Sequence, residues 1–480
     1  MQVRDSRMGQ IDWTAEVYKR KDQLIEDLQG LLRIKSVLNE AEATEEAPLG
    51  KNVKEALDYT LQLGEKDGFA VKNVGNLAGH IEYGKGKDLI GVLCHVDVVP
   101  EGDGWTYEPY GATVAAGNIY ARGAIDDKGP TMAAYYALKI LKELQVPVEK
   151  RIRMIIGTDE ESDWRCVDHY FEKEEMPTIG FAPDADFPII HAEKGICDFD
   201  LVMKVEEAEE STSVRLISFD SGRRYNMVPD YAKAVLEIKD HHTSILQEFE
   251  QYLGQEQIEG KYHIENGYLY LQLYGISAHG MEPKLGKNAG LILGQFLATI
   301  ELDTNGAHYV QFAKTYLYEQ SRGEELRLKY ADEITGDLTI NVGVMNYADH
   351  SGGKYGLNMR YPVTFPYDEK MSALQSQLEG TQFLIENVKD SKPHYVPEDS
   401  EFIAILKKVY TEQTGEEAKL LSIGGGTYAR ALEKGVAFGA LFPGKPDIAH
   451  QKDEYIEIED LLKATAIYAQ ALYELANDRG

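Results

Sequence analysis

The chain is long and strongly acidic. It has 480 residues, with 80 Asp and Glu against 50 Lys and Arg, which gives a formal net charge of -30 at pH 7. This charge argues against nucleic acid and anionic membrane surfaces as partners, because both attract basic proteins. The length allows two or three hydrophobic cores, and the hydrophobic content of 43% indicates a globular protein.

The cysteine count and the short apolar runs favour a cytoplasmic protein. The three cysteines, Cys94, Cys166 and Cys197, cannot all pair with one another, so we expect reduced thiols and no disulfide framework. No apolar run approaches the length of a membrane span, and residues 1–10 carry no apolar core of the kind that directs secretion.

The first predicted elements are amphipathic helices and a buried strand. Residues 14–33 and 53–66 place apolar side chains at helical spacing among charged ones, which is typical of helices that pack on a sheet. Residues 89–94 are nearly all aliphatic, as expected of a parallel strand covered on both faces. The strand ends at His95 and Asp97, which point to the same side because strand residues two apart share a face. The pair is either a metal ligand oriented by a carboxylate or a core histidine satisfied by a neighbouring acid.

A second acidic group lies in a loop before the next predicted helix. Asp126 and Asp127 stand close to glycines and just before a helix over 132–144. Acidic side chains at this position cap helices, and Pro130 near the first turn agrees with that role. A carboxylate that bridges metal ions is the other interpretation, and the two roles are not exclusive.

Two more predicted strands end in acidic residues. The strand over 151–157 is followed by Glu160 and Glu161, and a third strand end over 180–188 carries Asp184. Consecutive residues face different directions, so one glutamate can hold a metal while its neighbour faces a water. A solvated acidic loop is the simpler alternative. Because open α/β sheets bind ligands outside the carboxyl ends of their strands, the three strand ends predict one common site.

The sequence pattern changes in the middle of the chain and then returns. From 196 to 385 the strands are polar and aromatic, and residues 268–274 alternate as in a sheet solvated on one face. The first pattern then reappears, with a predicted helix over 400–413, a strand over 436–442 and a helix over 458–476.

These patterns predict an α/β fold with a mixed sheet and helices on both faces, interrupted by an inserted α+β domain. The expected boundaries are residues 1–195 for the first part of the α/β domain, 196–385 for the insertion and 386–480 for the second part.

The acidic and histidine residues of the α/β domain suit a pair of zinc or similar ions bridged by one carboxylate. The set comprises two imidazoles and three carboxylates, those of His95, Asp126, Glu161, Asp184 and His450.

Five motifs carry a family resemblance that covers nearly the full length. They read His-Val-Asp-Val-Val-Pro, Ala-Arg-Gly-Ala-Ile-Asp-Asp-Lys-Gly-Pro, Thr-Asp-Glu-Glu-Ser, Phe-Ala-Pro-Asp-Ala-Asp-Phe-Pro and Ala-His-Gln-Lys-Asp-Glu. The chain thereby resembles the di-zinc aminopeptidase and deacylase superfamily that includes carboxypeptidase G, aminoacylase and carnosinase. Within it, the motifs look most like those of the peptidase V group of dipeptidases. The resemblance implies a di-zinc exopeptidase catalytic domain with an inserted lid domain.

The resemblance also implies a role for each residue of the cluster. It makes Asp126 the bridge, with Zn²⁺ as the expected metal at two ions per chain and Mn²⁺ or Co²⁺ as possible substitutes. It makes Glu160 the general base and Asp97 the residue that orients His95, and it implies a cis peptide bond between Asp126 and Asp127. The remaining ligands pair as His95 with Asp184 on one metal and Glu161 with His450 on the other.

Three residues of the insertion match lid motifs of the same superfamily. Asn226 and His279 are expected to reach the tetrahedral oxyanion, and Arg360 is a candidate clamp for the substrate carboxylate, since a guanidinium binds carboxylates in a bidentate manner. Without the resemblance, Asn226 is an ordinary turn residue and Arg360 an ordinary surface strand residue.

The function implied is hydrolysis of dipeptides with a free C-terminal carboxylate, including substrates with β-alanyl or D-residues at the amino side. An N-acyl amino acid deacylase would share the metal site, and a non-catalytic metal-stabilised binding protein is the third alternative. Glu160 beside Glu161 argues against the latter, because a purely structural site has no use for a base. The insertion exceeds a typical domain of ~100–150 residues and is expected to hold two lid-like units, so we expect a monomer.

Overall fold

The computed structural model describes residues 11–206, 212–239 and 242–478. The segment 1–10, which we expect to carry no secretion signal, lies outside the described residues. The described chain forms two compact units. The first unit contains the residues up to His191, together with Tyr395–Leu421 and those from Thr427 onward. The second unit contains Ala192–His394 and the short stretch Ser422–Gly426.

Helices and strands alternate in the first part of the chain. The helices are α1 (Trp13–Tyr18), α2 (Lys21–Leu32), α3 (Lys51–Lys66), α4 (Lys128–Glu143) and α5 (Arg165–Lys173). The strands are β1 (Ala70–Val74), β2 (Ala78–Tyr83), β3 (Leu89–His95), β4 (Thr113–Ala115), β5 (Asn118–Tyr120), β6 (Arg151–Gly157), β7 (Ile179–Ala182), β8 (Ala185–Asp186) and β9 (Ile189–Glu193).

The middle of the chain is richer in long strands. Its strands are β10 (Gly195–Met203), β11 (Val214–Ser221), β12 (Tyr231–Ile238), β13 (Glu259–Glu265), β14 (Tyr268–Tyr274), β15 (Ala331–Asp332), β16 (Gly336–Asp337), β17 (Thr339–Ala348), β18 (Gly352–Tyr361) and β19 (Phe383–Ser391). Its helices are α6 (His242–Glu256), α7 (Ala289–Leu297), α8 (Thr304–Tyr316) and α9 (Tyr367–Leu378).

The last part of the chain returns to short strands and two long helices. It contains β20 (His394–Tyr395), α10 (Glu401–Thr414), β21 (Leu420–Ile423), β22 (Gly435–Ala437), β23 (Ala440–Leu441), β24 (Tyr455–Glu457) and α11 (Ile458–Asn477). None of the helices in the described ranges is long and apolar enough to span a membrane.

The main sheet of the first unit has the strand order β1-β2-β6-β3-β7-β22-β9-β20. Its centre is parallel, because β3 runs parallel to both β6 and β7, and β22 runs parallel to β7. Strand β3 is buried along its whole length, as its aliphatic run predicts. The carboxyl ends of β6, β3 and β7 therefore meet at one edge of the sheet, as expected of an α/β fold.

Helix α4 fixes the loop that precedes it. Nearly every residue of α4 is buried, and it packs against α11 in the core of the first unit. A Cβ at Gly129 would lie 2.1 Å from the carbonyl oxygen of Ala124, so only glycine fits where the loop meets the helix. The Asp126–Asp127 peptide bond in this loop is cis, as expected.

Two predicted elements are interrupted. The helix predicted over 14–33 is two helices, α1 and α2, separated by the turn at Lys19 and Arg20. The strand predicted over 436–442 ends at β22 and resumes at β23, because Gly439 takes a positive φ of 79° that extended strands do not allow.

The second unit contains an eight-stranded antiparallel sheet with its own hydrophobic core. The strand order is β13-β14-β12-β11-β17-β18-β10-β19, so β11 and β17 join two four-stranded halves. Strand β19 pairs with β10 along its length and keeps the chain in this unit beyond residue 386, where the sequence pattern placed the return. The chain rejoins the first unit at Tyr395.

Candidate active site

Three neighbouring parallel strands each place acidic or histidine side chains at the same sheet edge. His95 is the last residue of β3, Glu160 and Glu161 follow β6, and Asp184 follows β7. Asp126 lies in the loop before α4. Each predicted strand end thus contributes to a single cluster in the first unit.

Asp126 lies at the centre of this cluster. Its Oδ1 lies 3.0 Å from Nε2 of His95, and its Oδ2 lies 2.9 Å from Nε2 of His450. Nε2 of His95 is also 3.5 Å from Oδ1 of Asp184, while Nε2 of His450 is 3.1 Å from Oε1 of Glu161. The cluster therefore has two halves that share one carboxylate, and it gathers all five residues of the expected ligand set.

The donor chemistry of the cluster fits divalent cations. Ligand atoms of Asp126, Glu161 and His450 all lie within 4.8 Å of one another, as do those of His95, Glu160 and Glu161. Imidazole nitrogens and carboxylate oxygens are the donors that zinc and similar ions prefer.

The shifted pKa values of the cluster also indicate a site for cations. Burial, together with the charge of Asp126, raises the pKa of Asp184 to about 7. Burial and the charge of Asp184 raise the pKa of Glu160 well above its usual range. Hydrogen bonds to Asp126 and Glu161 raise the pKa of His450 to about 10. Protons on these groups compensate charge that metal ions would otherwise neutralise.

Asp97 contacts both His95 and the loop that carries Glu160 and Glu161. The Nδ1 of His95 lies 3.0 Å from the backbone carbonyl oxygen of Asp97 and 3.3 Å from its carboxylate. The same carboxylate accepts hydrogen bonds from the backbone N–H groups of Glu160, at 3.3 Å, and Glu161, at 3.1 Å. Asp97 thus fixes the imidazole tautomer that leaves Nε2 for a metal, and it also holds the loop with the two glutamates.

Two residues that follow Asp126 make buried contacts that the sequence pattern did not reveal, and those of Asp127 reach the cluster. Asp127 is fully buried, and its Oδ2 accepts a hydrogen bond from the backbone N–H of His95 at 3.2 Å. It does not cap α4 with its side chain. Lys128 is also fully buried and donates to the carbonyl oxygens of Leu31 and Ile34, at 3.1 and 2.7 Å, near the end of α2.

In the second unit, the segments that carry Asn226 and His279 are joined by backbone hydrogen bonds. The N–H of Gly280 donates to the carbonyl oxygen of Asn226 at 2.7 Å, and the N–H of Val228 donates to that of Ala278 at 2.8 Å. The side-chain amide of Asn341 donates to the carbonyl oxygens on either side of Asn226, those of Tyr225 and Met227, at 2.7 and 2.8 Å. These hydrogen bonds hold the segments of Asn226 and His279 side by side.

His279 and Arg360 are electrostatically linked in that unit. The backbone N–H of Met281 donates to Nδ1 of His279 at 3.1 Å, so a neutral imidazole carries its proton on Nε2. Burial and then the positive charge of Arg360 lower the pKa of His279 and favour this neutral form. Arg360 itself is 5% exposed and donates from Nε to Oδ1 of Asn358 at 2.8 Å, so it is not a surface residue of its strand.

Removing metal ions should make the stability of the protein fall as the pH rises. Folded Asp184 has a pKa of about 7, against an ordinary value of 3.8, so between these values the folded protein binds more protons than the unfolded chain. Stability then declines by up to about 1.4 kcal/mol per pH unit for each proton. We expect a lower Tm at pH 7.5 than at pH 5 in EDTA, measured by thermal unfolding.

The control for this prediction is Asp184→Asn, which removes the titrating carboxyl and should reduce the difference between the two pH values. Saturating metal should reverse the trend, because ligands must lose protons to bind metal. A metal-free protein with a higher Tm at pH 7.5 than at pH 5 would contradict the prediction.

The α/β unit, the inserted antiparallel unit and the acidic and histidine cluster define the class of metallopeptidases with an inserted lid domain. Comparison with known families agrees with this class. The sequence profile described as "Peptidase family M20/M25/M40" matches residues 91–474, and the chain belongs to this family.

Known proteins of similar sequence and structure extend this result. The chain is 54% identical to "Putative dipeptidase YtjP" of Bacillus subtilis over 97% of its own length and 100% of that protein. It is 49% identical to "Putative dipeptidase" of Staphylococcus epidermidis over 96% of its length and 99% of the relative. Aminoacylhistidine dipeptidase from Vibrio alginolyticus shares the fold, with a TM-score of 0.57 and 13% identity over 97% of both chains.

Proposed function

We propose that this protein is a metal-dependent dipeptidase that hydrolyses dipeptides with a free C-terminal carboxylate, including those with β-alanyl or D-residues at the amino side. The observation that carries the proposal is the two-part cluster that shares Asp126, with a second glutamate, Glu160, beside it. The names of relatives that match over nearly their whole length support the dipeptide as substrate.

The residues of the first unit would hold two divalent cations, with Zn²⁺ as the expected ion and Mn²⁺ or Co²⁺ as alternatives. His95 and Asp184 would complete one site, Glu161 and His450 the other, and Asp126 would serve both. Bound there, such ions lower the pKa of a water molecule and polarise the scissile carbonyl group.

Glu160 is the residue that we propose moves the proton. Within the described residues its carboxylate accepts no hydrogen bond, whereas Glu161 lies 3.1 Å from His450. A carboxylate that does not itself bind a metal can accept the proton of the attacking water and pass it to the leaving amine. The C–N bond of the peptide then breaks, and two amino acids are released.

The second unit would recognise the substrate and stabilise the developing charge. We propose that Asn226 and the Nε2–H of His279 donate to the oxyanion of the tetrahedral intermediate, where preorganised donors are most effective. Arg360 would bind the C-terminal carboxylate of the substrate, which restricts the leaving side to one residue.

A substrate panel tests the proposal. We expect kcat/KM for free dipeptides, in the presence of Zn²⁺, Mn²⁺ or Co²⁺, to exceed that for N-acetyl and N-succinyl amino acids by on the order of 10²-fold. A dipeptide amide is the matched control, since it lacks only the charged carboxylate. It should react about 10- to 100-fold more slowly, because a hydrogen bond to a charged group contributes about 1.5–3 kcal/mol.

Each alternative function has its own result in this panel. Faster turnover of the N-acyl amino acids would identify a deacylase instead. Metal binding without turnover of any substrate would indicate a non-catalytic binding protein.

A further inference from the structure

A buried ion pair lies beside the acidic and histidine cluster of the first unit. Arg122 is 1% exposed and Glu454 is fully buried, and NH1 of the arginine lies 2.6 Å from Oε2 of the glutamate. The two residues are far apart in sequence, and neither belongs to the expected ligand set. A buried pair of this kind is weak evidence for stability, because its desolvation cost offsets much of the attraction.

The carboxylate of Glu454 holds the loop that leads to Asp126. Its Oε1 accepts hydrogen bonds from the backbone N–H groups of Ile125, at 3.0 Å, and Asp126, at 3.1 Å. Its Oε2 accepts from the N–H of Gly123 at 3.1 Å as well as from Arg122. Each oxygen therefore accepts two hydrogen bonds, and Glu454 directly fixes the backbone at Asp126.

The guanidinium of Arg122 holds the chain at His450 and in the segment that follows β3. It donates to the backbone carbonyl oxygens of Gln451, at 3.1 Å, and His450, at 3.4 Å. It also donates to those of Glu101, at 3.1 Å, and Pro100, at 3.4 Å, in the segment that follows β3. The planar fork of arginine reaches these separate acceptors at once, which a lysine ammonium does not.

We propose that Arg122 and Glu454 are positioning residues that preset Asp126 and His450 for metal binding. The pair joins the segments of both residues through hydrogen bonds that involve no metal ion, so these contacts would reduce the ordering that metal binding requires. Loss of the pair should weaken metal binding most in the half of the cluster that contains His450. This inference rests on the ligand roles proposed for Asp126 and His450.

The test is the metal affinity of the folded protein rather than its activity alone. Glu454→Gln keeps the shape of the side chain but replaces one acceptor oxygen by an NH₂ group, which would face N–H donors. Arg122→Lys keeps the positive charge but loses the fork. We expect calorimetric titration of the metal-free variants with Zn²⁺ to show about 10- to 100-fold weaker binding. Excess metal should restore kcat in both, since neither residue has a proposed role in proton transfer or substrate binding.

Glu82→Gln is a matched control. It breaks another ion pair of the same unit, in which Oε2 of Glu82 lies 2.7 Å from Nε of Arg153. It should lower the Tm and leave metal affinity unchanged. Circular dichroism at the titration temperature confirms that each variant is folded, and Arg122→Lys provides the test if Glu454→Gln proves insoluble.

Asp126→Asn separates failure of this inference from failure of the ligand assignment. If Asp126→Asn abolishes metal binding while Glu454→Gln and Arg122→Lys bind with wild-type affinity, the positioning role is wrong. If Asp126→Asn binds metal normally, the ligand assignment itself is wrong. Wild-type metal affinity in Arg122→Lys would by itself overturn the proposal, because it would show that a positive charge at this position is sufficient.

Discussion

Replacement of Glu160 by alanine is expected to lower kcat by about 10²- to 10⁴-fold while both metal sites remain occupied. The reason is the different environment of the two neighbouring glutamates. Glu161 lies 3.1 Å from His450, within one half of the acidic and histidine cluster, whereas the carboxylate of Glu160 lies 3.9 Å from Nε2 of His95. A residue that transfers protons without binding the metal affects turnover far more than metal content. Steady-state kinetics and metal analysis of the purified variant measure the two quantities separately.

Glu161→Ala is the matched control for this prediction. It removes an identical side chain one position along the same loop, and we expect it to lose metal as well as activity. Glu160→Gln, which preserves size and removes only the basic oxygen, should behave like Glu160→Ala. A loss of only ~10-fold in kcat for these Glu160 variants, or a loss of metal from them, would show that Glu160 is not the base.

The parts of the fold that were predictable are those encoded in short continuous patterns. The aliphatic run that became β3 is buried along its length, and the runs over 151–157 and 268–274 became β6 and β14. Because parallel strands place their carboxyl ends at one edge, the acidic residues after β3, β6 and β7 could be assigned to one site from sequence.

The boundaries that were missed depend on local backbone geometry or on an exposed edge. Strand β19 is largely exposed and polar, so it carries no apolar alternation, and its assignment comes from pairing with β10. The break between β22 and β23 follows from the positive φ of Gly439, which an apolar run does not reveal.

The supporting residues of the site were missed for a different reason. Arg122 and Glu454 are separated by more than 300 positions, and local patterns contain no information on such pairings. Asp97 was assigned to His95 because residues two apart on a strand share a face, whereas its contacts with the Glu160 loop require the parallel pairing of β3 and β6. Candidate ligands could be proposed from residue chemistry, but the contacts that orient their side chains appear only in the folded chain.

Replacement of His279 by alanine is expected to lower kcat by about 10²- to 10³-fold with a smaller change in KM, as for the removal of a donor to an oxyanion. Met281 fixes the proton of the neutral imidazole on Nε2, and the lowered pKa of His279 keeps this form present near pH 7. A donor that acts on charge developed in the transition state contributes little to the binding of the ground-state substrate. Kinetics at saturating metal measure kcat and KM for His279→Ala, with His263→Ala, on an exposed strand of the same unit, as control.

We further expect His279 to act on the active site of its own chain. We expect the long insertion, whose eight strands form one sheet in which β11 pairs with β17, to hold two lid-like units in a single chain. A mixture of Glu160→Ala and His279→Ala proteins should therefore recover no activity, and sedimentation should show a monomer. Recovered turnover in the mixture, or an obligate dimer in solution, would mean instead that the histidine comes from a second chain, because only a shared site lets each inactive protein supply what the other lacks.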